Sequence, residues 1–126
     1  MVHNGHPRAH RLLTAGDFRS VFDQVDVKAA CPELLLLART SHTAQARLGF
    51  ILSRKNCRSA VARNRVKRVA REVFRCGYAQ WPQLDIILMG RSGIDQLSTA
   101  QLHQLIDKQL QRLSRRWRKS QTDHAE

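Results

Sequence analysis

The chain has 126 residues, enough for one hydrophobic core and one domain. Its 42% apolar and 25% charged residues exclude a disordered chain, and a formal net charge of +12 points to a polyanionic partner held through phosphate neutralisation and counterion release. Membrane-length apolar runs, lipidation motifs and a signal-peptide core are absent, and three cysteines without CxxC spacing read as thiols in a reducing cytoplasm.

Residues 1–10 read as a loose tail, whose His3, His6 and His10 lack the spacing and carboxylate support of a metal site. Thr14 caps a first helix, with Asp17 at N3 and Leu13 stapled to Phe18. Phe18, Val21, Phe22 and Val25 recur at i, i+3, i+4 and i+7, putting two rings on one face. Periodicity leaves open whether those rings are core or line a groove where an unpaired base stacks. A short extended piece at Val27 to Ala30 precedes the apolar run Glu33 to Arg39, which reads as a buried strand. Arg47 to Ser53 is expected to pair antiparallel with it, and Gly49 suggests a bulge or a close backbone approach.

The richest stretch comes next. Nine of the 22 Lys and Arg residues fall between Ser53 and Arg75, against one acid, Glu72. On a helix, Ala62, Val66, Val69, Ala70 and Val73 form one apolar stripe, and Asn64, Arg68, Arg71 and Arg75 face the other way. Arg63 and Lys67 take one flank of that basic side and Arg65 the other. Ser59 suits the N-cap and Gly77 the C′ position. Arg58 and Arg63 crowd the helix start, where cations oppose the macrodipole unless a phosphate sits there.

After a connector holding Trp81, Leu84 to Gly90 is a continuous apolar strand, and the order strand, helix, strand predicts a parallel crossover in a mixed sheet. Ser98 and Gln101 form a capping box for a last helix, with Leu102, Leu105, Ile106, Leu110, Leu113 and Trp117 on the sheet side. Its terminal cations, from Lys108 to Lys119, fit helix capping and a second phosphate patch equally well. Residues 120–126 are expected to fray.

Autonomous catalysis finds little support. No local pair of acids could hold two metal ions, and GxSxG, HExxH and P-loop signatures are missing. Binding of nucleic acid is what the composition supports. A sheet platform without a helix-turn-helix companion favours RNA over DNA.

Arg11-Leu12-Leu13-Thr14 with Asp17-Phe18 and Val21-Phe22, then Arg47-Leu48-Gly49, Arg54-Lys55-Asn56 and Ala62-Arg63-Asn64-Arg65-Val66-Lys67-Arg68 followed by Arg71-Glu72 and Phe74-Arg75, closely resemble the protein component of bacterial ribonuclease P. The resemblance spans about Arg11 to Trp117. It implies an α+β fold, a two-layer α/β sandwich of order α-β-β-β-α-β-α like ribosomal protein S5 domain 2, with a left-handed crossover. It also implies a subunit of a ribonucleoprotein endonuclease that removes the 5′ leader of precursor tRNA in the cytoplasm, the RNA subunit binding Mg²⁺ and hydrolysing the phosphodiester. Carried over by position, Arg63, Asn64, Arg65, Lys67, Arg68 and Arg71 would meet the ribonuclease P RNA. Phe18, Phe22, Leu36, Arg54, Lys55 and Arg58 would line the leader cleft. No protein-held metal, membrane or obligate protein partner is implied. Relatives often place an aromatic ring on the second strand, where this chain has Leu34 to Leu37, so apolar packing would replace stacking there. The alternative is a non-catalytic ribosomal or RNA-chaperone protein built on the same platform.

Overall fold

The computed structural model describes residues 14–41, 43, 45–77 and 80–124. The expected N-terminal tail, its histidines and the Leu13 half of the staple lie outside these residues. In chain order come α1 (Ala15–Asp23), β1 (Val27–Cys31), β2 (Leu34–Thr40), β3 (Arg47–Ile51), α2 (Ala60–Cys76), β4 (Leu84–Gly90), a 3-10 turn (Ile94–Gln96) and α3 (Thr99–His124). This is the expected order. No helix among the described residues is long and apolar enough to cross a membrane.

The four strands lie in the order β1-β2-β4-β3. β1 and β2 are antiparallel, β2 and β4 antiparallel, and β3 and β4 parallel. The parallel crossover through α2 is therefore present, but β3 does not pair with β2. The reason is burial. Leu84 to Leu88 are all buried, so β4, covered on both faces, takes the centre of the sheet and separates its two predecessors. Thr40 and Arg47 both sit at the start of β4, two strand spacings apart, roughly 10 Å.

Alternation along the strands divides the side chains between two faces. Leu34, Leu36, Ala38, Leu48, Leu84, Ile86 and Leu88 meet α2 and α3 in the main core, where Val66, Val69, Ala70, Val73 and Phe74 supply the α2 side. Phe74 joins the stripe expected from periodicity. The short α1 covers only part of the opposite face, where Val21 and Ile87 are buried and Phe18, Leu37, Ile51 and Met89 pack around them.

The predicted caps form at all three helices. Thr14 and Asp17 make a reciprocal box, Ser59 Oγ accepts from the Ala62 amide at 3.0 Å, and Ser98 and Gln101 exchange bonds of 2.9 and 3.1 Å. Three local expectations change. Gly77 has φ −102°, outside the left-handed region; it is needed because a Cβ there would collide with the Trp81 ring, whose Nε1 donates to the Phe74 carbonyl at 2.9 Å. Gly49 pairs with Ile87 in unbroken register, so no bulge forms. α3 continues past Ser120 to His124, the Thr122 hydroxyl donating to the Arg118 carbonyl at 3.1 Å.

One polar row crosses the sheet beneath α1: Arg39, Asp85 and Arg47 are register partners on β2, β4 and β3. Asp85 is only 3% exposed, and Arg47 grips it with two bonds of 2.8 Å. The hydrogen bond to Asp85 raises the Arg47 pKa above its ordinary value, so this cation stays charged. Its Nη2 also lies 3.5 Å from Asp17, and Arg39 donates to the Ser20 carbonyl at 3.0 Å. Both arginines thus fasten α1 to the sheet. Arg47→Met strands a buried carboxylate and should lower unfolding stability by roughly 3–5 kcal/mol in urea titrations, with much of the loss recovered in Arg47→Met/Asp85→Leu.

Candidate nucleic-acid interface

α2 turns its basic side outward. Asn64, Arg68 and Arg75 are exposed, while Arg63, Arg65, Lys67 and Arg71 are half-buried along the flanks. The flanking arginines are held by the fold. Arg63 Nη1 donates to the Cys57 and Arg58 carbonyls at 2.9 and 3.2 Å, and Arg65 Nη2 donates to the Asp95 carbonyl at 3.2 Å. The Arg71 guanidinium lies 5.4 Å from the Phe50 ring centroid. A guanidinium already fixed by one contact loses less freedom when its remaining donors take a phosphate. On this ridge Glu72 pairs with Arg75 at 2.9 Å. Those hydrogen bonds hold the Glu72 carboxyl below its usual range, so the pair persists at neutral pH and is lost only as pH falls through that lowered value.

Segment 53–58 joins β3 to α2 and carries the exposed Arg54, Lys55 and Arg58. Asn56 Nδ2 ties it to the Gly90 carbonyl at 3.1 Å, and the Cys57 amide donates to the Ser53 carbonyl at 2.9 Å. Cys57 itself is fully buried, and desolvation pushes its thiol pKa up, as expected of a packing residue.

On the α1 face, Phe18 is half-buried in its cluster and Phe22 is 45% exposed. Leu36 belongs elsewhere: it is 0% exposed in the core under α2 and α3. Leu35 and Leu37, one residue to either side, occupy the α1 face instead, because a shift of one residue reverses the face. Ala30, Leu35, Met89 and Ile51 are register partners across all four strands, making a row of apolar floor. An open groove of about 540 Å³, lined by Val25, Asp26, Val27, Lys28, Leu37 and Arg116, continues toward the β1 edge.

A family model described as Ribonuclease P matches residues 6–114. The chain is 44% identical over 119 residues to the ribonuclease P protein component of Chromohalobacter salexigens, covering 94% of this chain and 93% of that one. The corresponding protein of Acinetobacter baylyi is 43% identical over 111 residues, or 88% and 85% of the two chains. Among solved structures, the RNase P protein of Staphylococcus aureus superposes with a TM-score of 0.75 at 25% identity, over 82% of this chain and 94% of that one. The one from Thermotoga maritima gives 0.63 at 25% identity, over 78% and 96%.

The chain belongs to the ribonuclease P protein family.

Its role is thus that of the protein component of ribonuclease P, an RNA-binding part of a ribonucleoprotein that processes tRNA. Arg116 and Arg112 donate to the Lys28 and Ala30 carbonyls of β1 at 2.8 and 3.4 Å, and Arg118 donates to the Gln80 carbonyl. These three arginines support the fold, and Arg112 and Arg116 occupy carbonyls on an edge strand. Lys108, Arg115 and Lys119 remain exposed. In this ribonuclease P protein, Glu72→Gln should release Arg75 for phosphate, tighten binding to ribonuclease P RNA at low salt and steepen the slope of log K against log salt by up to about one unit. Filter-binding titrations over a salt series would show it.

Proposed function

We propose that α2 docks the chain on the catalytic RNA, while the α1 face receives the single-stranded 5′ leader of precursor tRNA. The outward ridge of Asn64 and Arg68 beside the anchored Arg63 and Arg65 carries this reading. Phosphates meet a surface with few carboxylates, and the guanidinium forks suit phosphate oxygens. On the other face the exposed Phe22 offers a ring on which an unpaired base stacks, a contact worth ~1–3 kcal/mol. Leu35 and Leu37 supply an apolar wall in place of a second ring. Arg54 and Lys55 come three and four residues after Ile51 of that floor, and Arg58 precedes α2, so leader phosphates leaving the sheet reach cations that border the ridge.

Mg²⁺ and phosphodiester hydrolysis belong to the RNA subunit in this reading. Among the described residues no three His, Cys, Asp or Glu side chains gather where they could hold an ion. The chain's side chains bind phosphates, seat the leader and orient the precursor against the RNA.

Reconstitution with a ribonuclease P RNA and precursor tRNA at low Mg²⁺ tests the proposal. Stimulated 5′ cleavage is expected; RNA binding without stimulation would point to a chaperone or ribosomal role, and cleavage without the RNA subunit to a protein nuclease. Arg68→Ala should weaken RNA binding and lower the salt slope by roughly one unit. Phe22→Ala should weaken binding of precursor tRNA about tenfold, while leaving mature tRNA unaffected.

A further inference from the structure

Val61 is 79% exposed, the most exposed large hydrophobic residue among those described. The other two, Phe22 at 45% and Val25 at 40%, border the α1 face and its groove, where a leader base accounts for them. Val61 stands on the opposite side of the molecule, in the first turn of α2. Helical spacing makes Asn64 and Arg65 its nearest neighbours at i+3 and i+4, with Arg68 one turn further along the same side. The buried stripe through Val66, Val69, Ala70 and Val73 lies on the far side of the helix.

Among the described residues nothing rewards a valine at this place. A β-branched residue forms helix less readily than alanine or arginine, and its methyl groups sit in water. Its surroundings are cationic, so a membrane or an apolar protein surface would have to strip water from Arg65 and Arg68 to reach it. RNA meets both needs at once. Its phosphates satisfy the guanidinium groups, and an unpaired base presents an apolar face that paired bases hide in the stack.

We infer that Val61 packs on the face of an unpaired nucleobase of the RNA subunit, between phosphates held by the surrounding cations. The inference rests on the reading of α2 as the RNA-docking helix. It assigns to Val61 the part of the affinity that salt does not screen, because counterion release counts only the neutralised phosphates.

The experiment measures the Kd of the full chain for ribonuclease P RNA across a salt series, with thermal melting and chemical probing of the RNA bases. Val61→Ala should weaken binding about three- to tenfold at every salt concentration, with an unchanged slope. Its melting temperature should be equal or slightly higher, since alanine suits the exposed turn. Val61→Ile should bind like the parent. At least one unpaired base should be protected by the parent and by Arg68→Ala but not by Val61→Ala. If Val61→Ala binds as the parent does while Arg68→Ala lowers the slope, the valine contact is wrong and the ridge stands. If neither substitution alters affinity, the docking helix itself is wrong. A changed slope in Val61→Ala, or weakened binding with no base losing protection, would also overturn the assignment.

Discussion

The burial of β4 on both faces is the constraint from which the rest of this fold follows. A strand with Leu84, Ile86 and Leu88 on one face and Asp85, Ile87 and Met89 on the other needs cover above and below. It therefore sits between β2 and β3 and forces α2 to act as the crossover between parallel neighbours. α2 then has one way to bury its apolar stripe, against the sheet and α3, and its basic side is left to solvent. The same central strand carries Asp85, whose pairing with Arg47 brings charge under α1 and fixes the second face.

Arginine does two kinds of work in this molecule. Some side chains close the fold by donating to backbone carbonyls: Arg63 at the entry to α2, Arg65 at the turn before α3, Arg112 and Arg116 along β1. Others, such as Arg68, Arg54 and Arg58, stand in solvent. Net charge alone does not separate the two, because both kinds count equally toward +12. The division matters for RNA binding. Anchored guanidinium groups present the remaining donors in a set direction, and solvent-exposed ones add charge with less order.

The two candidate RNA surfaces lie on opposite faces of the sheet, yet segment 53–58 connects them at one end. Asn56 pins that segment to the end of β4 and Arg63 pins it to α2. Arg54 and Lys55 thus stand between the end of the α1 face and the basic ridge of α2. On the proposed reading, this geometry would let a small protein meet the precursor leader and the RNA subunit together, each through its own face.

Much of this was legible in the residues alone. Caps at Thr14, Ser59 and Ser98, the apolar stripe of α2 and the element order all follow from spacing over a few residues, since propensity, capping and periodicity act locally. The Arg-Asn-Arg segment also carried the family resemblance. What only the tertiary structure decided were choices made by distant partners. Leu36 and its neighbours are identical leucines, and only pairing with β1 and β4 decides which of them faces α1. β3 lies beside β4 because the strand buried on both faces outcompetes the nearer one for the central place. Gly77 is needed for the Trp81 ring, not for its φ, and Arg63, Arg65, Arg112 and Arg116 are structural because particular carbonyls come within reach. Sequence sets where each side chain points along its own helix or strand; the fold sets what it meets there, because that depends on groups tens of residues away.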